Sequence, residues 1–284
     1  MAKKKWNKFP HPAKAFDYSG SKLAKAWDDL HAGDQEPFPD ADEIGEQLAQ
    51  SAALVKAAGN DAAAIAEQLT EAWRCFHRGD FQQATELGEA CFPFGSTVAN
   101  KASGIYANYL ADEGDKEALY KAAADRSERA SKLLPDDTNA HYFRAFALGR
   151  FSQCISIGKA LAQGLGGKIK ESLDKALALN DDHAEAHTAM GLYHAEIISK
   201  VGAMIGGLTY GAKADKGLAH LNRARELTPE APIAHIEYAN GLLLLYGDKK
   251  MDDAVEAYEL AAELKPRDAM EKLDVELAKE ELSE

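Results

Sequence analysis

The chain has 284 residues, enough for one large or two ordinary domains, with 46% apolar residues and only nine prolines. Its formal charge of −13 is uneven: residues 1–25 carry +6, leaving −19 on the remainder, which argues against nucleic-acid binding by the body of the protein. Cys75, Cys91 and Cys154 have no C-x-x-C spacing and form no disulfide framework or zinc site, and the longest uncharged run, residues 201–212, is too short to span a bilayer.

Buried, reduced thiols are the expectation for all three cysteines. Apolar residues recur three and four apart and period-two alternation is missing, so the fold is predicted to be almost wholly helical. The lysine-rich start, MAKKKWNK, has no apolar segment behind it and is not a secretory signal. A cytoplasmic protein that does not span a membrane is expected.

In chain order, residues 1–59 are read as a basic arm plus two helices packing on the repeat region. The lysines suit a solvated terminus, but Trp6, Phe9, Phe16 and Tyr18 are too aromatic for a disordered arm and are expected to pack on the repeats or on a second subunit. SGSKLAKAWDDLHAG predicts a helix capped by Ser21 and stopped by Gly33; DQEPFPD comes next as a linker; a second helix runs from near Asp40 to Gly59.

Residues 60–266 contain about five related units. AWRCFHRGDFQQATELGEAC turns at Gly79 and Asp80, and a second unit ends at Pro135. Three stronger units open with AHYFRA, AHTAMG and AHIEYA, at offsets of 46 and 48 residues. Each has a histidine (His141, His187, His235) and, four places on, a small residue (Ala145, Gly191, Ala239) that suits close helix packing. A second helical segment comes after it in each, with Leu173, Leu221 or Tyr258 three before Ala176, Ala224 or Ala261, and a stop at Asp181, Pro229 or Pro266. Residues 267–284, acidic with an apolar stripe, suit a C-terminal capping helix.

This pattern resembles the tetratricopeptide repeat (TPR). The resemblance puts the three histidines in the tryptophan slot of the first helix, the small residues in the glycine slot, and Leu148, His194 and Leu242 in the tyrosine slot. It implies an all-α fold, a right-handed TPR-like helical-hairpin solenoid. The histidines are therefore read as packing rather than metal-binding residues, although His183 at the preceding turn is also near.

The units exceed an ordinary repeat, and the surplus, GRFSQCISIGKALAQGLGGK and EIISKVGAMIGGLTYGAK, lies between the paired helices. The first helices are expected to run on by two or three turns. The glycine clusters do not match a phosphate loop and lack a strand context. The long first helices and AH starts are similar to the regulator of microtubule dynamics family, with lipid binding and transfer known for at least one member, and to the T component of TRAP transporters. Neither the membrane anchor of the first group's lipid-handling member nor the lipoprotein signal of the second is expected here, so location and partners do not carry over.

In such solenoids the first helices line a concave face. The resemblance assigns to it Tyr142, Phe146, Thr188, Leu192, Ala195, Ile236, Asn240 and Leu243, an apolar groove in which only Asn240 could clamp a peptide carboxylate. Ile155, Ile157, Leu161, Val201, Met204, Ile205, Leu208 and Tyr210 in the surplus segments either add a lid or lining or pack between helices. The expected function is a non-catalytic binding protein holding a lipid-like or other hydrophobic ligand; the alternative is a scaffold or adaptor clasping a partner helix. No catalytic arrangement, metal site or cofactor is expected, Glu196 being better paired with Lys200. A homo-oligomer is compatible with the sequence.

Overall fold

The computed structural model describes residues 5–283; Lys3 and Lys4, at the tip of the basic arm, lie outside them. The described residues form helices and no strand, in two compact units. Unit one comprises residues 1–28 and 36–155, unit two residues 29–35 and 156–284.

Unit one holds α1 (Lys22–Leu30, less its last two residues), α2 (Ala41–Gln50), α3 (Ala52–Ala58), α4 (Ala62–Arg78), α5 (Phe81–Ala90), α6 (Ser96–Tyr109), α7 (Glu113–Leu133) and α8 (Thr138–Cys154). Each helix from α4 to α8 packs on its neighbours in sequence, and α6 also touches α4 and α8. This alternation of antiparallel helices is what the small-residue spacing predicts. The core centres on Trp73 and Phe76 of α4, with Trp27 meeting the Trp73 ring edge-on at 5.8 Å.

The helix expected from Asp40 to Gly59 is broken at Ser51. Its N–H donates to the Leu48 carbonyl while its Oγ accepts from Leu54 N, so one serine ends α2 and caps α3. A serine side chain competes for backbone groups in this way, which spacing of apolar residues does not reveal.

Within unit one the aromatic arm is held by specific contacts. Trp6 stacks on Tyr106 with ring centroids 4.0 Å apart, its N–H donates to Gln82 Oε1, and the Asn7 N–H donates to the Tyr106 hydroxyl. Phe16 is buried, and the Arg74 guanidinium donates to the carbonyls of Tyr18 and Gly20. Trp6→Ala is expected to cost about 2 kcal/mol, roughly half the loss for a fully buried tryptophan, because Trp6 is half-buried. Thermal unfolding followed by circular dichroism measures it.

Unit two holds α9 (Ile157–Ala162), α10 (Leu165–Leu179), α11 (Ala184–Val201), α12 (Ala203–Tyr210), α13 (Ala214–Leu227), α14 (Pro232–Tyr246), α15 (Met251–Glu263) and α16 (Ala269–Glu281). Helix α11 packs on α10, α13 and α14, and α14 on α13, α15 and α16. Leu173, Ala176, Leu221, Ala224, Tyr258 and Ala261, the repeated second-helix positions, are all buried. Asp268 caps α16, its Oδ1 accepting from Glu271 N, and Ala278 of α16 joins the cluster of Ile236, Ala239 and Tyr258.

The surplus residues are distributed differently from expectation. Helices α8 and α11 have 17 and 18 residues against 15 in α14, so the first helices gain less than one turn, and the rest forms the separate short helices α9 and α12. Ile155 is extended and Ser156 caps α9, while Gly202, at φ +82°, separates α11 from α12. Cys75 and Cys91 are buried, which pushes their thiols up to about 12 and 11, but Cys154 is exposed, contrary to expectation, because it sits in the last turn of α8.

Candidate binding surface

The repeated histidines make one repeated bond. His141, His187 and His235 each donate from Nε2–H to the carbonyl six residues earlier, of Pro135 (2.9 Å), Asp181 (2.8 Å) and Pro229 (2.7 Å). A carbonyl only accepts, so the proton sits on Nε2 in each ring. The bond fastens the first turn of α8, α11 or α14 to the inter-repeat turn before it. His183 caps α11, its Nδ1 accepting from Ala186 N at 3.0 Å. These are structural bonds, as the repeat reading implies.

The remaining ring nitrogens form a local network in unit two. His187 Nδ1 lies 2.8 Å from His220 Nδ1, and because His187 already donates from Nε2, its Nδ1 is placed to accept from His220. His220 and His194 stack at 6.1 Å, and His194 Nδ1 accepts from Lys213 N. Burial, with His187 and His194 alongside, lowers His220 to about 4, and burial with Lys170 and Lys216 nearby lowers His194. Among the described residues no group of three or more histidine, cysteine or carboxylate side chains is arranged to hold a metal ion. Glu196 forms an ion pair with Lys200 one turn on.

The eight residues assigned to the groove divide between the units: Tyr142 and Phe146 lie on α8 in unit one, and the other six on α11 and α14 in unit two. Tyr142, Ala195 and Ile236 are buried in helix packing. Phe146 is half-buried against α6, where a β-carbon on Gly104 would come within 2.5 Å of its ring, and stacks edge-on with Tyr120 and Phe143. Thr188 and Leu192 are half-buried on α11. Asn240 is half-buried but engaged, accepting from the Tyr258 hydroxyl at 2.6 Å and donating to Glu237, and Leu243 packs against the same cluster as Ile236. Asn240 therefore serves the α14–α15 contact.

Sequence reasoning reached Leu242 and Leu243 but missed Leu244, Leu245 and Tyr246 at the apolar end of α14. Residues 241–246 read GLLLLY; Gly241 and Leu242 are buried, whereas Leu243, Leu244, Leu245 and Tyr246 are all only half-buried. A surface helix ordinarily turns a polar face to water. The run of four leucines was the available signal, and the repeat register, which selects only certain positions per turn, took Leu242 and Leu243 and passed over the rest.

The helical hairpins, their buried small-residue positions and the apolar first helices define a TPR-like protein, a class whose fold supports a binding or scaffold role and is typically non-catalytic. The chain belongs to the regulator of microtubule dynamics protein 1-3 family, whose model matches residues 98–284. A solved structure, that of a thermophilic TPR protein of Thermus thermophilus, superposes with a TM-score of 0.54 at 17% identity, covering 76% of this chain and 98% of the other. No curated protein sequence matches.

Proposed function

We propose that the chain is a non-catalytic TPR-type binding protein whose apolar first helices hold a lipid-like or other hydrophobic ligand, and that it works in the cytoplasm. In this reading residues 60–266 are the binding module, residues 1–59 pack on it and residues 267–284 cap it. The observation that carries the reading is the incomplete cover of α14: four consecutive large side chains, Leu243 to Tyr246, stay half-buried on a helix with no polar face over that stretch. Leu192 and Thr188 on the neighbouring α11 supply further half-buried surface. Few polar groups there would orient a ligand, which suits acyl chains better than a polar metabolite.

Mass spectrometry of freshly purified protein under native and denaturing conditions tests this. A discrete adduct of lipid mass, released on denaturation and reduced by Leu192→Asp with Leu244→Asp in a protein of unchanged circular dichroism, is the expected result. A bare polypeptide mass would favour the competing occupant, a partner helix held on the same apolar surface.

A further inference from the structure

The two short helices that carry the surplus residues have an unusual exposure. On α12, Met204 is 78% exposed, Ile205 55% and Leu208 84%, and on α9, Ile157 and Leu161 are 52% and 51% exposed. No residue of α9 is buried. Five large apolar side chains on two short helices are thus left in water.

The opposite face of α12 is fully used. A β-carbon on Gly206 would lie 3.1 Å from Ile197 Cγ2, so this glycine lets α12 lie directly on α11. The Tyr193 hydroxyl donates to the Tyr210 carbonyl, and the Tyr210 ring abuts Gly166 in the first turn of α10, just beyond the end of α9. Both short helices therefore border the start of α10. Packing explains the inward residues and leaves the outward ones unexplained, since a helix held this way would ordinarily be polar outside.

Charge identifies the occupant. The chain carries −13, yet residues 156–170 contain Lys159, Lys168 and Lys170 and no carboxylate, and residues 197–214 contain Lys200 and Lys213 and no carboxylate. Lys170 and Lys200 are engaged with Asp174 and Glu196, while Lys159, Lys168 and Lys213 are exposed. Glu171, Glu196 and Asp215 bound these stretches. Within them, protruding apolar side chains lie close in sequence to exposed lysines, the combination that interfacial binding uses: side chains that enter the boundary between headgroups and acyl chains, and cations that meet lipid phosphates. Side chains as exposed as Met204 and Leu208 stand out from the surface, which suits shallow insertion into a bilayer.

We propose that α9 and α12 form a docking face for an anionic lipid bilayer, into which Met204, Ile205 and Leu208, with Ile157 and Leu161, insert shallowly. Among the described residues no helix is long and apolar enough to cross a membrane; insertion of a few side chains to a shallow depth would give a reversible association. It does not depend on the groove reading, which native mass spectrometry of the same variants tests separately.

Co-sedimentation of the full chain with vesicles of phosphatidylcholine, with and without phosphatidylserine, at low and high salt is the test. Expected are binding to the phosphatidylserine vesicles that weakens with salt, at least about tenfold weaker binding for Met204→Asp with Leu208→Asp, and a comparable loss for Lys159→Glu with Lys168→Glu and Lys213→Glu. Both variants change exposed side chains and should keep the parent circular dichroism and melting temperature, and each tests the face independently of the other. Equal binding to vesicles without phosphatidylserine, or no binding by the parent chain, would overturn the proposal. Undiminished binding by both folded variants would do so as well and would move the activity elsewhere, for example to the N-terminal lysines. A parent chain that elutes as a dimer and becomes monomeric on Met204→Asp with Leu208→Asp, without vesicle binding, would show instead that a second copy covers this face.

Discussion

Replacing Gly191 with valine is expected to lower the unfolding free energy by about 3 kcal/mol, the upper end of overpacking losses. A β-carbon on Gly191 would stand 2.5 Å from Leu221 Cγ and 3.0 Å from the Gly217 carbonyl oxygen, so both the side chain and the backbone of α13 are in the way. Leu221 has little room to move, because a β-carbon on Gly241 of α14 would reach within 2.3 Å of its Cδ1. The leucine is thus clasped between glycines of successive first helices. Leu221→Ala alone should cost about 3 kcal/mol through the cavity it leaves, but much less in the Gly191→Val background, where the valine occupies part of that space. Urea midpoints at constant slope measure the cycle; strictly additive losses would show that the two residues do not compete for one space.

Acidification should destabilise the protein well above the pH at which carboxylates protonate. His220 has its folded-state value lowered to about 4 from an ordinary 6.5, chiefly by burial and then by His187 and His194. The unfolded chain therefore binds the proton that the folded one refuses, and stability falls as pH drops from about 6.5 to about 4, levelling off below. Because the ring is only partly buried and solvent screens it, the loss at full extent is expected to be about 1–2 kcal/mol. His194 and His235, also lowered by burial, add losses in the same direction. His220→Gln should flatten the slope between pH 6.5 and 4 relative to the parent while keeping a polar group near His187. Glu276, held at about 2 by Lys272 and Lys279, contributes in a lower window, below its ordinary 4.5, so the two effects separate. An unchanged slope in the variant would assign the pH dependence to other groups.

Much of the architecture was legible in linear order. The positions Ala145, Gly191 and Ala239, and Ala176, Ala224 and Ala261, are small because paired helices approach there, and all are buried. The repeated histidines mark the same register, although their shared bond to the preceding turn carbonyl appears only with coordinates. The candidate surface was less legible. A register fixes which face of a helix a residue occupies but not which neighbours reach that face, so the register puts Ile236 and Asn240 on a groove although Ile236 is buried in the cluster with α15 and α16 and Asn240 bonds Tyr258 of α15. Met204 and Leu208 were open to either lining or packing, and their exposure decided for neither.

The sequence by itself determined the helical class, the repeat period, the small-residue contacts and the uneven charge, because these follow from local spacing and from covalent composition. Tertiary structure alone decided that Ser51 splits a helix, that the surplus residues form separate helices, that His220 is kept neutral and that α12 turns its apolar face outward. Each of these depends on which groups lose contact with water, and burial is set by residues distant in the chain.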